Sequence, residues 1–511
     1  MAFISLGFTG TARADRPTVL TTEGSAQGKL LSGGKVKAFL GLPFAAPPVG
    51  ELRWKAPEAP RPWTGTLDAS RYGARCAQGR VFDDMVFQDE GSSEDCLFLN
   101  VYAPANSSAD RKLPIMLWIH GGGYTGGSGN EPRHNGDFLP LKDVVLVTIN
   151  YRLGVFGFLV TDELAKEAGG AAGNYGLLDM VAALKWVKAN AAAFGGDADN
   201  VTIFGESAGS FAVSTLMASP LARGLFAKAI GQSGAPFPGG MALGGATVAT
   251  QAAAARKWME SIGAQSIKDL RAMTTDEVLQ AAKKAGPMRF SPVTDGRLLT
   301  EPVPDTYSAG RQAPVPLLAG WNADEGDFSA AKGMTKAQWK KRASNLFKDR
   351  AADFLRLYPA DTDEAAVRSA IDYSGDAFIA FGTWQWLEAH RRTGRAPTYR
   401  YHFELPATPS KYHQGSFAFH SDDIEYVFGT LDTRPGFKAR AVDRTLSDMM
   451  MSYWTNFART GNPNGPGLPA WPVYGAHDPL IHLNDPVTSG PDPLRPRYEF
   501  LLKGGFPAME P

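Results

Sequence analysis

The segment from Val201 to Met217 constrains the fold of this chain more than any other. Val201 to Phe204 is a short β-branched and aromatic run, typical of a buried strand, and small and apolar residues at helical spacing follow from Ser207. Between them, Gly205-Glu206-Ser207-Ala208-Gly209 matches G-x-S-x-G, the motif of a tight strand-to-helix turn. Such a turn crowds its flanking positions, which favours glycine, and it exposes the serine beside a helix N-terminus. We therefore interpret Ser207 as a nucleophile rather than as part of a plain Gly-Ser turn.

Composition excludes several classes of function. The 511 residues include 52 Lys and Arg against 52 Asp and Glu, so the net charge is +0, and a hydrophobic content of 44% is typical of a globular protein. Because the chain has neither a basic excess nor a basic run, we expect no nucleic-acid partner. No apolar stretch reaches the roughly 18 residues that a transmembrane helix needs, so we expect no membrane span.

Apolar strands alternate with helical segments along the chain. We predict strands at 36–40, 94–104, 114–120, 144–150, 201–204, 227–232, 315–319 and 398–405, and helices at 177–193, 207–217 and 438–460. This alternation predicts an α/β fold with a mostly parallel sheet covered by helices on both faces. Helical stretches at about 240–290 and 330–395 are expected to be insertions that form the pocket of a single domain at 15–511.

The N-terminus and the two cysteines bear on the compartment. An apolar run from Ala2 to Phe8 and a small-x-small site at Ala12–Ala14 resemble the end of a signal peptide that lacks its basic start, so we interpret residues 1–14 as a remnant of one. The alternative is the frayed terminus of a cytoplasmic protein. Cys76 and Cys96 either form one disulfide, worth about 3 kcal/mol on the loop-entropy model, or are two free thiols. The expectations of export and of a disulfide depend on each other, because disulfides persist mainly in oxidising compartments outside the cytoplasm.

A nucleophilic serine needs a base, which is itself oriented by an acid. In hydrolases built on this turn, the order along the chain is serine, acid, histidine. Six histidines follow Ser207, and four of them lie in a helical pattern, a strand or a proline-rich tail: His390, His402, His477 and His482. His413 and His420 lie in a loop, and we favour His420 because an acidic run follows it.

Two further loops supply the acid and the donors for a developing oxyanion. Asp324 and Glu325 follow the strand at 315–319, and their spacing does not separate the two; a solvated acidic loop is the alternative. The run His120-Gly121-Gly122-Gly123-Tyr124 follows a buried strand, where glycines let backbone N–H groups approach a substrate closely. The N–H of Ala208 adds another donor. A merely flexible glycine loop is the alternative reading.

These motifs resemble the type-B carboxylesterase family, α/β-hydrolases that include cholinesterases and bacterial para-nitrobenzyl esterases. Residues 194–197 and 200–209 resemble the serine signature of the family, and Glu94–Val101 resembles its second signature. Further blocks that resemble the family lie at 39–48, 150–154, 232–234 and 457–463. The resemblance extends from about residue 18 to the C-terminus, and it implies the α/β-hydrolase fold.

The resemblance also implies roles for individual residues. It implies Ser207 as nucleophile, His420 as base and Glu325, not Asp324, as the orienting acid. The oxyanion donors that it implies are Gly122, Gly123 and Ala208. The residues that it implies for the pocket or next to the triad are Glu206, Ser233, Tyr124, Met288, Arg289 and Phe290. It also implies a disulfide between Cys76 and Cys96 and a buried ion pair between Arg152 and Asp179.

Two features bear on the substrate. Cholinesterases carry a tryptophan between the two cysteines that stacks on choline, and residues 77–95 contain none, so recognition of a quaternary ammonium is not expected. Arg289, in the stretch expected to line the acyl pocket, either faces solvent or favours an acyl group that bears a carboxylate.

The sequence therefore predicts an exported serine carboxylesterase that hydrolyses a small-molecule ester through an acyl-enzyme. We expect no metal and no cofactor, and a monomer or weak homo-oligomer. The alternatives are lipase, amidase or carbamate hydrolase activity at the same site, or a non-catalytic binding protein that resembles neuroligin.

Overall fold

A mostly parallel sheet lies at the centre of the part of the chain that the computed structural model describes, residues 16–239, 245–285, 290–326, 328–411, 417–475 and 479–504. The strands of these residues, in chain order, are β1 (Thr18–Leu20), β2 (Ser25–Gln27), β3 (Lys29–Leu31), β4 (Val36–Pro43), β5 (Thr66–Asp68), β6 (Arg75–Cys76), β7 (Ser92–Ser93), β8 (Phe98–Pro104), β9 (Leu113–Ile119), β10 (Val145–Ile149), β11 (Gly196–Glu206), β12 (Lys228–Gln232), β13 (Ala246–Thr247), β14 (Val293–Thr294), β15 (Leu317–Asn322), β16 (Thr398–Phe403), β17 (Pro479–Leu483) and β18 (Thr488–Pro491).

The central sheet has eleven strands among the described residues, in the order β18-β17-β16-β15-β12-β11-β9-β10-β8-β4-β3. Neighbours from β17 to β10 in this order are parallel, and the outer pairs at both edges are antiparallel. Because the parallel strands all end at the same edge, the loops that follow β9, β11, β12, β15 and β16 lie side by side there. Those loops carry the residues singled out from the sequence.

Helices alternate with these strands. In chain order the described α-helices are α1 (Gly154–Phe158), α2 (Asp162–Glu167), α3 (Tyr175–Asn190), α4 (Ala208–Ala218), α5 (Val248–Ile262), α6 (Ile267–Ala272), α7 (Thr275–Lys283), α8 (Val303–Ser308), α9 (Phe328–Ala331), α10 (Lys336–Phe347), α11 (Ala351–Leu357), α12 (Asp363–Gly375), α13 (Phe381–Thr393), α14 (Asp423–Phe428), α15 (Ala441–Thr460) and α16 (Arg495–Gly504). A π-helix, Asp376–Ala380, joins α12 to α13. None of these helices is long and apolar enough to cross a membrane.

Alternate residues of the strands face two separate cores. In β11, Ile203 belongs to the core that includes α3, α4 and α13, whereas Phe204 belongs to the core on the other face, which includes α14 and α15. In β9, Leu117 and Trp118 divide in the same way. Because both faces are covered, β9 and the Val201–Phe204 part of β11 are mostly apolar, which is what made them recognisable in the sequence.

The predicted strands and helices are observed, with ends displaced by a few residues. The stretch after α15 was interpreted as a proline-rich tail, and this interpretation was wrong for β17 and β18, which extend the sheet at one edge. Both strands are short and β18 is polar, so neither shows the apolar run of a central strand. The interpretation of residues 1–14 concerns residues that lie outside the described ones.

Cys76 and Cys96 form a disulfide, and both cysteines are buried. The bond closes the segment 76–96, which passes over the carboxyl edge of the sheet. The pairing implied by the family resemblance is therefore confirmed, and the free-thiol alternative is wrong.

Arg152 and Asp179 form the buried ion pair that the resemblance implied. The guanidinium donates to both carboxylate oxygens, at 2.8 Å from Nε and 2.7 Å from a terminal nitrogen, and the Arg152 N–H donates at 3.0 Å. The pair joins the loop after β10 to α3, and both side chains are almost fully buried, at 3% and 0% exposed. Removing one partner would leave a buried charge without compensation.

We expect Asp179→Ala to lower the free energy of unfolding by about 3–5 kcal/mol, because the Arg152 guanidinium would remain buried without its carboxylate. Urea denaturation with global analysis of midpoint and slope measures this loss. The matched control is Asp432→Ala, which removes an exposed partner of Arg444 and is expected to cost no more than about 1 kcal/mol. Equal losses in the two variants would contradict the structural role of the buried pair.

Candidate active site

Ser207 occupies the turn between β11 and α4, with φ 52° and ψ −122°, a backbone conformation that residues with side chains rarely adopt. A Cβ on Gly205 would lie 2.6 Å from the carbonyl oxygen of Ile119, and a Cβ on Gly209 would lie 2.0 Å from the same atom. Any larger residue at either position would collide with the backbone of β9, so the turn requires both glycines. The predicted strand, tight turn and helix are all present.

Glu325 is held at the edge of the sheet by two donors. Its Oε1 accepts hydrogen bonds from Ser233 Oγ at 2.6 Å and from the N–H of Asn322 at 2.8 Å. Its Oε2 lies 2.5 Å from Nδ1 of His420. The carboxylate is buried, with only 2% of the side chain exposed, so its orientation is fixed by these partners. The structure thus places Ser233 next to the acid, as the resemblance implied.

Asp324 lies beside Glu325 but serves a different purpose. Its carboxylate accepts a hydrogen bond from the N–H of Ala418 at 2.9 Å and pairs with Arg368 at 2.6 Å, while its own N–H donates to Ala418 O at 2.9 Å. Asn322 adds a side-chain hydrogen bond to the carbonyl of Phe419 at 2.6 Å. Asp324 therefore attaches the loop after β15 to the segment that carries the imidazole, and only Glu325 reaches the imidazole itself.

The second nitrogen of the His420 imidazole faces the turn that carries the serine. Nε2 lies 3.2 Å from Oε1 of Glu206, the residue just before Ser207. Within the described residues, no hydrogen bond joins His420 to the Ser207 hydroxyl, although both residues line the same cavity. His420 therefore lies between two buried carboxyl groups, one at each ring nitrogen.

The surroundings change the acidity of these groups. Burial raises the pKa of Glu206 to about 8. Burial alone would lower the pKa of His420, but the charges of Glu206 and Glu325, together with the hydrogen bond from Nδ1, outweigh it and raise the pKa to about 9. The imidazolium form of His420 is therefore strongly favoured relative to a histidine in water.

A cavity of about 520 Å³ opens above Ser207 and His420. This volume is in the range of small-molecule sites. The glycine loop Gly121–Gly123 forms one wall, and apolar side chains from the disulfide-closed segment, from the insertion at 330–395 and from α14 form much of the rest: Val81, Phe82, Met85, Phe378 and Ile424. Asp84, Glu131 and Arg133 supply charged groups. The cavity is therefore lined largely by apolar side chains, with charged groups also present in its walls.

Several residues predicted for the pocket lie elsewhere. Tyr124 is buried in the core against Phe158, with ring centroids 5.1 Å apart, and Phe290 packs on Trp258 at 5.4 Å. Neither is among the described residues that line the cavity. Glu206 lines it as expected. Met288 and Arg289, and the alternative base His413, lie outside the described residues.

Two contributors to the site escaped the sequence analysis. Phe378 lies in the π-helix and makes an edge-on contact with the His420 ring, at a centroid distance of 5.1 Å. Asp423 is buried beside the imidazole, where it accepts hydrogen bonds at 2.8 Å from both Gln232 and Tyr401. The acidic run after His420 was noticed, but no pattern in the sequence distinguished Asp423 within it.

Comparison with known proteins agrees with this geometry. Residues 15–500 match the model of the carboxylesterase family. The chain belongs to the carboxylesterase family. The family predicted from the motifs is therefore confirmed.

Related carboxylesterases cover nearly the whole chain. A fumonisin B1 esterase of Sphingopyxis macrogoltabida is 36% identical over 505 residues, which cover 94% of this chain and 89% of the relative. A human cocaine esterase (Homo sapiens) is 34% identical and covers 92% of this chain and 88% of its own. The solved structure of a PNB esterase is 33% identical with a TM-score of 0.79, covering 95% of this chain and 100% of its own.

A carboxylesterase structure from Geobacillus stearothermophilus is 31% identical with a TM-score of 0.80, covering 94% and 99% of the two chains. This carboxylesterase therefore has the α/β-hydrolase fold and is a carboxylic ester hydrolase. The predictions of fold class and of serine carboxylesterase activity are both confirmed.

The position of His420 between two carboxyl groups in this carboxylesterase generates a prediction about its acidity. In Glu206→Gln we expect the pKa of His420 to fall, because the variant removes the negative charge that faces Nε2. NMR titration of histidine-labelled protein measures the change. The control Asp448→Asn removes an exposed carboxylate that pairs with Lys142, and it should leave the His420 titration in place. An unchanged pKa in Glu206→Gln would contradict the electrostatic role of Glu206.

Proposed function

We propose that Ser207, His420 and Glu325 form the catalytic triad of this carboxylesterase. The observation that carries the proposal is the 2.5 Å contact between Glu325 Oε2 and His420 Nδ1, which turns Nε2 toward the cavity that Ser207 lines. A serine hydroxyl becomes nucleophilic when a neighbouring imidazole accepts its proton. The absence of a Ser207–His420 hydrogen bond among the described residues is compatible with this role, because catalytic hydrogen bonds often tighten only in the substrate complex.

The reaction follows from these positions. Ser207 Oγ attacks the ester carbonyl carbon while His420 Nε2 accepts the hydroxyl proton. The tetrahedral intermediate then collapses, the C–O bond to the alcohol breaks, and the imidazolium of His420 gives its proton to the departing alkoxide. Water, deprotonated by His420, attacks the acyl-enzyme and releases the acid and free Ser207. Glu325 holds the imidazole and stabilises its charged form in both halves.

We also propose that the N–H groups of Gly122, Gly123 and Ala208 stabilise the oxyanion. Gly122 and Gly123 line the cavity beside Ser207, and Ala208 begins α4, so its N–H has no partner within the helix. The loop approaches the nucleophile closely, since a Cβ on Gly121 would lie 3.2 Å from Ser207 Cβ. Donors fixed in this way stabilise the transition state without reorganisation.

Removing members of the proposed triad tests the proposal. We expect Ser207→Ala and His420→Ala each to lower kcat/KM for p-nitrophenyl butyrate by about 10⁴- to 10⁶-fold, because each removes the same attack step. For the same reason the double variant should be little worse than either single one. Steady-state and burst kinetics measure both effects.

The matched control is Ser214→Ala in α4, the helix that follows Ser207, because the Ser214 hydroxyl donates to Phe211 O within the helix at 3.1 Å. It should retain most of the activity. Multiplicative losses in the double variant, or a burst of product in Ser207→Ala, would refute the proposed acyl-enzyme.

We further propose that the substrate is a neutral ester with an apolar group of moderate size. The cavity walls are largely apolar, and Arg133, the guanidinium among the described lining residues, already pairs with Glu425 at 3.1 Å. A substrate carboxylate would therefore lose its hydration without gaining, among the described lining residues, a guanidinium that is free of another ion pair.

A matched pair of substrates tests this preference. We expect p-nitrophenyl butyrate to have a kcat/KM at least about tenfold higher than p-nitrophenyl hydrogen succinate, because the second must bury a carboxylate. The variant Arg289→Ala decides the alternative expectation for that arginine. A preference for the succinate ester that disappears in Arg289→Ala would show that Arg289 recognises the carboxylate and would overturn the neutral-substrate proposal.

The compartment is part of the same proposal: we infer that the protein is exported. The Cys76–Cys96 disulfide supports this, because disulfides persist mainly in oxidising compartments.

A further inference from the structure

Three side chains with metal-binding chemistry converge at the edge of the sheet, away from the proposed triad. His402 is in β16, Glu404 follows the same strand, and His482 is in β17. The two strands are parallel neighbours, and His402 is directly opposite His482 in their register. Since facing residues of adjacent strands point to the same side of a sheet, the two imidazoles lie side by side.

The ligand atoms are already close together. Glu404 Oε1 lies 2.8 Å from Nδ1 of His402 and 2.6 Å from Nδ1 of His482, and the three atoms lie within 4.8 Å of one another. The side chains are 24%, 10% and 17% exposed, respectively, so an ion can reach the cluster and retain a water molecule. Both imidazoles thus present the same nitrogen to one carboxylate oxygen.

Contacts behind the ligands hold them in this orientation. Nε2 of the His482 ring lies beside β18, 3.8 Å from the position of a Cβ on Gly490. Because a carboxylate oxygen only accepts, Nδ1 of each ring donates to Glu404 in this structure, and an ion that binds there displaces these protons. Trp321 packs edge-on against the His402 ring, and the Glu404 N–H donates to Leu483 O at 2.9 Å. The cluster is therefore preorganised by three strands.

We propose that His402, Glu404 and His482 bind a divalent transition-metal ion of the zinc class. Two imidazole nitrogens and one carboxylate oxygen are ligands that Zn²⁺ prefers, with water in the fourth position, whereas Ca²⁺ and Mg²⁺ prefer sets made of oxygen. Tetrahedral coordination separates ligand atoms by roughly 3.3 Å, given metal–ligand bonds of about 2.0–2.1 Å. The two separations from Glu404 Oε1 need to open by only a fraction of an ångström to admit the ion, and the three ligand atoms all lie within 4.8 Å of one another.

The ion would connect parts of the chain that matter for the site. Glu404 begins the segment that leads to His420, and His402 lines a small cavity that Glu325 also lines. β17 and β18 form the edge of the sheet, where few other strands restrain them. The metal therefore stabilises the sheet edge next to the triad, and its binding is measurable independently of ester hydrolysis.

Isothermal titration of the full-length protein with Zn²⁺ tests the proposal. We expect one equivalent to bind, and His402→Gln and His482→Gln each to weaken the affinity by at least about 10- to 100-fold, the loss that even an outer partner of a metal ligand causes. His420 also lies against carboxyl groups, those of Glu206 and Glu325, but they face opposite nitrogens of its ring, so His420→Gln should retain the bound equivalent. The control His413→Gln/His477→Gln, which changes the two histidines outside the described residues, should also retain it.

Cobalt provides a second measurement that does not depend on variants folding normally. Wild-type protein loaded with Co²⁺ should show the visible absorption of a four-coordinate nitrogen and oxygen site, and this absorption should disappear when Zn²⁺ is added. The proposal is overturned if the wild-type protein binds no Zn²⁺ at micromolar concentrations, or if binding is lost in His420→Gln and kept in His482→Gln. The first result would identify the cluster as a hydrogen-bonded His-Glu-His group only.

Discussion

The hydrogen bonds between Asp324 and Ala418 are the constraint on which the active site depends. Glu325 and His420 are 95 residues apart in sequence, and the loops that carry them run over the end of the sheet. The Ala418 N–H donates to the Asp324 carboxylate, and the Asp324 N–H donates to the Ala418 carbonyl. The Asn322 side chain adds a hydrogen bond to the Phe419 carbonyl. Each such bond contributes about 1 kcal/mol to the stability of the attachment. The Glu325–His420 contact follows from that attachment.

Burying several carboxyl groups around one imidazole has an energetic cost that folding must meet. Glu206, Glu325 and Asp423 are all buried close to His420, and burial raises the pKa of Glu206 and of Asp423. Asp423 is compensated by neutral donors, Gln232 and Tyr401, rather than by a cation. The position of the Asp423 carboxyl group therefore does not depend on whether the His420 imidazole is protonated.

This arrangement suits a reaction in which the imidazole becomes charged. Carboxylates that are fixed before the reaction stabilise the imidazolium as it forms, with no reorganisation at that moment. The same carboxylates raise the pKa of His420, which decreases the fraction of neutral base at a given pH. In the proposed reaction, Glu206 and Glu325 thus both set a balance between the stability of the charged imidazole and the supply of free base, and Glu325 also fixes the orientation of the ring.

Much of the fold could be predicted because its central strands are buried on both faces. Leu113–Ile119 and Val145–Ile149 are almost wholly apolar runs. Gly205 and Gly209 are glycines because the turn before α4 and the start of this helix pack directly against the backbone of β9. The edge strand Thr488–Pro491 could not be found in this way, since it is polar and exposed. Periodicity also failed at Phe378, because a π-helix shifts the facing of its residues relative to a regular helix.

The choice between Asp324 and Glu325 shows why part of the site cannot be predicted from the sequence without the three-dimensional structure. Two adjacent carboxylates have the same chemistry, and only the positions of Arg368 and Ala418 assign one of them to the loop attachment. The pocket residues diverge further: Tyr124 follows the glycine loop in sequence, but its positive φ of 59° turns the side chain into the core. Motifs therefore predict the residues of the proposed triad better than the walls of the cavity around them.

The residues at the floor of the cavity are held by the packed core, whereas those in part of its walls are not. Ser207, Glu206 and the glycine loop follow strands of the sheet, so their positions are set by a packed core that tolerates little change. Val81 and Phe82 come from the segment between the two cysteines and are 40% and 43% exposed. Neither side chain is part of the buried core. The disulfide fixes the two ends of that segment but not the side chains between them. Substitutions there can change which ester fits while leaving the distances among Ser207, His420 and Glu325 unchanged, which is how one chemistry can serve relatives with different substrates.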